Sequence, residues 1–242
     1  MTLSGDQLWE RHGGWWQEHY GEGADPEYRD QILPLAQERL GGARRVLDVG
    51  CGEGQVARSL ARSGTEVVGV DPAASQIAAA VERGGTARYV RSRAEQLPFV
   101  GASFDAVVLC LAIEHVGPFE QAFEEIARVL APGGRLVFFV THPLLQTPGS
   151  GWVDDQTSSE HYWRIGPYLD DDVAVDTVAP GVQFSFAHRP LSRYVRAMGR
   201  VGLLIDDMEE PPPPPVVVDE TCGFPDGDRI PRLAVLSARL VP

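Results

Sequence analysis

Val46-Leu47-Asp48-Val49-Gly50-Cys51-Gly52-Glu53-Gly54 is the stretch that decides the fold. A short apolar run from Arg45 to Val49 ends in a glycine cluster, and a helical pattern opens behind it over residues 54–62. Glycine has no Cβ, so such a cluster lets the chain turn tightly and lets a ligand approach the backbone. A second landmark follows in Val68-Gly69-Val70-Asp71. It puts a carboxylate at the carboxyl end of the next strand, about 20 residues after the glycines. Ligands of open α/β sheets bind outside the carboxyl ends of the strands. An acid placed there can accept both hydroxyls of a ribose.

Working outward, strands are expected at residues 45–49, 66–70, 87–90, 104–109, 135–140, 203–208 and 232–240, and helices at 25–40, 54–62, 73–82, 119–130 and 191–202. Strands alternating with helices mean a mostly parallel sheet covered on both faces. The near-continuous apolar strands agree, since such strands are buried on both sides. Residues 142–189 break this rhythm with Pro, Gly, Asp and aromatics and no clear period. A connection that long is usually a lid or binding loop. The proline run 211–215 reads as an extended connector along the surface.

Composition narrows the function classes. The 242 residues carry a net charge of −13, which disfavours phosphate backbones and anionic lipid. No apolar run is long enough to span a membrane, and the first residues, Met1 to Asp6, show no signal-peptide pattern. Cys51, Cys110 and Cys222 are far apart and form no CxxC pair, so neither a disulfide framework nor a zinc site is expected, and a reducing cytoplasm fits. Asp154-Asp155 and Asp170-Asp171-Asp172 match no calcium loop, and no metal is expected.

The glycine string itself separates two nucleotide chemistries. A dinucleotide fingerprint reads GxGxxG; here the spacing is GxGxG, with Gln55 at the position of the third glycine. Asp48, two residues before Gly50, suits the ammonium of an amino-acid-bearing nucleoside or the ordering of the glycine loop. A pyrophosphate would be repelled by Asp48 and by Glu53.

The string 46–54, Asp71-Pro72, Ala94-Glu95-Gln96-Leu97-Pro98-Phe99, Phe104-Asp105, His115 and Arg128-Val129-Leu130-Ala131-Pro132-Gly133-Gly134 together resemble the ordered motifs of class I S-adenosylmethionine-dependent methyltransferases. The branch that acts on small molecules and quinones is the most similar. The resemblance covers residues 45–141. It implies a doubly wound, Rossmann-like α/β fold with a seven-stranded, mostly parallel sheet whose last strand is antiparallel. It also implies an N-terminal helical cap at 1–43, and a methyltransferase domain at 44–242 with a lid inserted at about 142–190.

The resemblance further implies S-adenosylmethionine as cofactor. Asp48, Gly50, Cys51, Gly52 and Gly54 would hold its methionine part, Asp71 the ribose, and Pro72 the adenine. Arg93, Ala94 and Glu95 would lie beside the adenine, Cys110 and Leu111 near the methyl group, and Tyr20 and Gln76 at further cofactor contacts. Many relatives have Asp where Arg93 stands, so the usual acceptor for the adenine amino group is missing here.

His115 and His142 should each follow a strand at its carboxyl end, so both are candidates for the base that deprotonates an acceptor. His115 also reads as a helix-start residue packed on the sheet. Trp15, Trp16 and Tyr20 fall at helical spacing and either pack the N-terminal helix or cover the sulfonium and acceptor. Trp163, Tyr168, His188 and Arg189 of the irregular segment are candidate acceptor contacts or lid packing. The expected activity is methyl transfer to a small acceptor (hydroxyl, amine or activated carbon) by a monomer or homodimer, without nucleic acid or membrane partners. The alternatives are an S-adenosylmethionine-binding enzyme that transfers no methyl and a non-catalytic binding protein.

Overall fold

The computed structural model describes residues 3–61, 64–158, 160–215 and 227–241. Met1, Thr2, Arg62 and Cys222 lie outside the described residues. Chain order begins with α1 (Gly5–Tyr20), a wide helical turn (Tyr28–Ile32), α2 (Leu33–Arg39), β1 (Arg45–Val49), α3 (Gln55–Leu60), β2 (Glu66–Asp71), α4 (Ala74–Glu82) and β3 (Arg88–Arg91). It continues through β4 (Phe104–Cys110), a 3-10 turn (Ile113–His115), α5 (Phe119–Val129), β5 (Leu130–Thr141) and α6 (Pro143–Gln146). Two hairpins follow, β6 (Gly151–Asp155) with β7 (Glu160–Arg164) and β8 (Asp172–Ala179) with β9 (Val182–His188). The chain closes with α7 (Leu191–Arg200), β10 (Leu203–Glu209) and β11 (Leu233–Leu240).

Seven strands form one sheet in the order β10-β11-β5-β4-β1-β2-β3. All neighbouring pairs from β5 to β3 are parallel, and β11 runs antiparallel to both β5 and β10. Alternate strand residues face opposite layers, as the period of two requires. Val46, Val108 and Phe139 pack with Ile32, Ala36 and Val56 on the side of α2 and α3. Leu47, Val107 and Phe138 pack with Phe123, Ile126 and Met198 on the side of α5 and α7. Helix α5 buries Phe119, Ala122, Phe123, Ile126 and Val129, a stripe at three- and four-residue spacing.

The expected strands and the helices behind them are present, with shifted ends. Three expectations are corrected. The helix expected over 25–40 is interrupted: Pro34 has no N–H for the Asp30 carbonyl, and the ladder widens so that Leu33 donates to the Tyr28 carbonyl. The segment 142–189 is not irregular but holds the two hairpins. Their strands are short and mostly exposed on β7 and β8, so no apolar alternation marks them in sequence. The proline run does not lie free on the surface. Pro211, Pro213 and Pro214 are buried, and the Pro212 carbonyl accepts from Gln31 Nε2 at 2.7 Å. Proline has no N–H to leave unsatisfied, so burying such a segment costs little.

Candidate functional site

The strand order reverses between β1 and β4, because β2 and β3 extend one way and β5 the other. The loops after β1 and β4 diverge there and leave a crevice at the carboxyl ends. A cavity occupies it, and α1 lies across it, contributing Asp6, Trp9, Trp16 and Tyr20. The loop after β1 turns sharply: the N–H groups of Gly50 and Cys51 both donate to the Val70 carbonyl, at 2.8 and 2.9 Å. Gly50 has φ +71°, and a Cβ on it would stand 2.3 Å from the Ala112 Cβ in the loop after β4. Only glycine lets the two loops meet this closely. Leu111, at the end of β4, also takes a left-handed backbone (φ +46°), a conformation that costs a non-glycine residue roughly 1–3 kcal/mol.

Two carboxylates define the electrostatics. Asp48 is buried, and its Oδ2 has no hydrogen-bond partner. Burial raises its pKa to about 7; the Ala57 N–H opposes this and the neighbouring Asp71 adds to it. Asp71 accepts from the N–H of Gly52 (3.0 Å) and of Ala73 (2.9 Å). Burial nevertheless lifts it to about 6. A cationic group fits beside Asp48, and hydroxyl donors fit beside Asp71.

At the other end, the His115 ring lines the cavity and its Nδ1 lies 2.7 Å from the Ser185 carbonyl of β9. A carbonyl only accepts, so Nδ1 carries the hydrogen and Nε2 keeps a lone pair. Burial pulls this imidazole down to about 4, so it is neutral at neutral pH. Trp9 meets His115 edge-on, with ring centroids 4.9 Å apart, and packs on Phe184 (4.5 Å) and Trp16 (5.3 Å). Tyr28 enters the cavity from the widened turn, with its hydroxyl 3.8 Å from Cys110 Sγ. Burial raises both thiols, Cys51 and Cys110, well above their ordinary range, which makes them poor nucleophiles.

Helix α1 is held down by polar contacts. Gln17 Nε2 donates to Gln76 Oε1 (3.0 Å), the Ala74 N–H donates to Glu10 (2.6 Å), and Asp6 pairs with Arg93. Arg93 also donates through Nε to Glu95 Oε1 at 2.6 Å. The residue standing in place of an adenine acceptor is therefore a bridge between α1 and the loop after β3.

Of the residues named from sequence, Trp16, Tyr20, Asp48, Gly50, Cys51, Gly52, Asp71, Pro72, Gln76, Arg93, Ala94, Glu95, Cys110, Leu111 and His115 line this one cavity. The others lie elsewhere. Gly54 starts α3 with φ +83°, and a Cβ on it would strike the Tyr89 ring. His142 caps α6, accepting from the Leu144 N–H, with its Nε2 2.7 Å from Glu210 Oε1. Trp15 stacks on His19. Trp163 packs edge-on against Trp152 and donates to the Leu144 carbonyl. His188 bonds through Nε2 to the Tyr168 carbonyl, and the Tyr168 hydroxyl accepts from the Leu191 N–H.

Arg189 is buried under the cavity's edge. It donates to the carbonyls of Ile113, Val116 and Gly117 and stacks over Phe119 at 4.4 Å. It thus fixes the turn that carries His115. Arg189→Ala is expected to destabilise the chain by roughly 3–5 kcal/mol, because buried carbonyls lose their donor and a cavity opens. A fall in the urea midpoint would show it, and an unchanged midpoint would contradict this clasp role.

Sequence reading missed Trp9, Asp6 and Tyr28 in the cavity lining, and Phe184 behind Trp9. A signal for two of them was present: Asp6, Trp9, Gly13, Trp16 and Tyr20 recur at three- and four-residue spacing and share one face of α1. Phe184 carried none, since β9 was not recognised as a strand.

Comparison with known proteins places this geometry. Residues 47–138 match the family described as methyltransferase domain. A demethylmenaquinone methyltransferase of Thermus thermophilus is 39% identical over 121 residues, 48% of this chain and 54% of that one. A ubiquinone biosynthesis O-methyltransferase of Cronobacter sakazakii is 34% identical over 162 residues, 63% and 64% of the two chains. The chain thus spans between half and two thirds of these relatives' own length. A solved S-adenosylmethionine-dependent methyltransferase from Mesorhizobium loti superposes with a TM-score of 0.73 at 28% identity, covering 88% of this chain and 97% of its own. With its glycine loop, its paired acids and its strand order, this chain matches the methyltransferase-domain family over residues 47–138 and is similar in fold to the S-adenosylmethionine-dependent methyltransferases.

Proposed function

We propose that the chain transfers a methyl group from S-adenosylmethionine to a hydroxyl oxygen of a small, planar, largely apolar acceptor, and that His115 takes the hydroxyl proton. The observation that carries this reading is the His115 ring: it lines the cavity, Nδ1 is spent on the Ser185 carbonyl, and Nε2 is a free lone pair. The names of the relatives, which concern menaquinone and ubiquinone biosynthesis, support an acceptor of the quinone or phenol type.

The residues fit the cofactor. The unpaired Oδ2 of buried Asp48 would hold the ammonium. Asp71 would take the ribose hydroxyls, and Pro72 and Ala94 would flank the adenine. When bound, S-adenosylmethionine supplies a methyl group on a sulfonium sulfur, which keeps the S–C bonding pair as the methyl departs. The protein contributes alignment and exclusion of water. Trp9 and Trp16 line the cavity, and Trp9, backed by Phe184, supplies an apolar wall next to His115. A hydroxyl oxygen forming its new C–O bond becomes oxonium-like and strongly acidic. An imidazole of pKa about 4 is therefore basic enough to accept the proton as that bond forms.

His115→Gln is expected to lower kcat by roughly 10²- to 10⁴-fold with phenolic acceptors. The assay is gain of one methyl group by mass spectrometry, over a panel of phenols, amines and activated carbon acids. Methylation confined to amines or carbon, or a His115→Gln enzyme within about threefold of wild type, would overturn the oxygen-acceptor reading. No helix among the described residues is long and apolar enough to cross a membrane. The free, buried thiols of Cys51 and Cys110 fit a reducing cytoplasm as the site of action.

A further inference from the structure

The cavity adjoins an outer groove. Asp6, Pro72, Ser92 and Arg93 line both hollows. The groove's other walls include Ser4, Gln7, Glu10, Arg91 and Gln96, all exposed, so it opens to solvent. An ion pair stands at the boundary: Arg93, on the loop after β3, meets Asp6 in the first turn of α1. Glu95 holds Arg93 as well, accepting from its Nε at 2.6 Å.

Helix α1 is fastened differently along its two edges. Toward β9 it packs rings: Trp9, Trp16 and His12 meet Phe184 at centroid distances of 4.5, 5.4 and 6.2 Å. Toward α4 and the loop after β3 it makes polar contacts, Asp6 with Arg93, Glu10 with the Ala74 N–H and Gln17 with Gln76. Packed rings expose apolar surface when they separate. Exposed ion pairs and hydrogen bonds exchange with water at little cost. The side chains of Asp6 and Arg93 are 28% and 55% exposed, so water is at hand for both. The polar edge is therefore the one that opens.

The cofactor placement gives this mouth a direction. Pro72, beside the adenine, lines the groove as well as the cavity, whereas Asp48, which would take the ammonium, is buried and lines the cavity alone. We propose that the Asp6–Arg93 pair latches a mouth through which the cofactor enters, methionine end first, and through which S-adenosylhomocysteine leaves. This inference rests on the cofactor placement given above. It adds the route and the contact that sets the rate of exchange. Product must leave in every turnover, so the latch bears on kcat as well.

The test follows binding and release of S-adenosylhomocysteine by surface plasmon resonance on the immobilised full chain. Asp6→Asn removes the charge and keeps the side-chain shape. Association and release are both expected to quicken by about threefold or more, with the affinity changed less than either rate. In the wild type, release should quicken as sodium chloride rises from about 50 to about 500 mM, since salt screens an exposed pair. The Asn variant should lose most of that dependence. Glu66→Gln removes an exposed partner of Arg45 and Arg88 away from both hollows and should leave the rates as in wild type. Release from Asp6→Asn within about 1.5-fold of wild type overturns the inference. So does an equal change in Glu66→Gln, or quicker release with unchanged association, because the pair would then hold the ligand and not the mouth. Wild-type release indifferent to salt overturns it too, and that measurement decides the matter should Asp6→Asn fail to fold. Failure of the wild type to bind S-adenosylhomocysteine would instead remove the cofactor placement beneath it, so the two failures are distinguishable.

Discussion

Asp48→Asn is expected to make the ligand-free chain more stable at pH 8 and to weaken S-adenosylmethionine binding by about a hundredfold or more. Both effects come from one buried oxygen. Asp48 is enclosed, its Oδ2 has no partner, and burial lifts its pKa from 3.8 to about 7. The folded chain therefore binds this proton more tightly than the unfolded chain does. The sign follows: stability falls as pH rises from about 4 to about 7, and the full penalty stands above that window. At about 1.4 kcal/mol per tenfold, the penalty at pH 8 is at most about 4 kcal/mol. Asparagine keeps an oxygen for the Ala57 N–H and removes the charge. Its gain in melting temperature should be large at pH 8 and vanish near pH 4.

The lost affinity has the same origin, because the ammonium of the cofactor finds a counter-charge only in the ionised acid. Wild-type affinity should therefore rise with pH up to about 7 and then level off. Asp71, lifted to about 6, acts in the same direction at lower pH. Calorimetry at pH 6 in buffers of different ionisation enthalpy should report proton release on binding, because Asp48 must give up its proton to meet the ammonium. An Asn variant that binds as tightly as wild type would show that Asp48 does not serve the ammonium.

Gly50→Ala should nearly abolish cofactor binding and cost roughly 2–5 kcal/mol of stability. Gly50 combines φ +71° with a Cβ position 2.3 Å from the Ala112 Cβ. An added methyl faces a left-handed backbone and a neighbour fixed by the end of β4, with no flexible tip to move aside. The loop must retreat, and it takes with it the Gly52 N–H that holds Asp71. A urea titration and calorimetry with S-adenosylhomocysteine read the two effects. Wild-type values in both would mean that the two loops separate freely.

The cofactor half of the site was legible because its determinants are local. Asp48 and Asp71 lie at the carboxyl ends of strands whose apolar runs announce them, Gly50 and Gly52 lie just beyond the first, and the parallel topology puts those strand ends side by side. The acceptor half was legible only in part. His115 was readable as a residue after β4, but its tautomer is set by Ser185, seventy residues away on β9, and its lowered pKa by burial. His142 looked equivalent by position, yet it turns to cap α6 and meet Glu210. Arg189 looked like an acceptor contact, but its fork satisfies backbone carbonyls.

The sequence by itself determined the sheet, its order of elements, the glycine turn and the acids that belong to a nucleoside-bearing cofactor. Hydrophobic period and strand-end chemistry act within a few residues, so they survive in one dimension. The tertiary structure decided what lies opposite those strand ends. Helix α1 reaches the cavity from a position distant in the chain, and β9 packs behind Trp9 and His115, so that their packing sets which aromatic faces the cavity and which imidazole nitrogen is engaged. Such assignments depend on distances of a few ångströms between segments that share no local pattern, so only the folded chain could supply them.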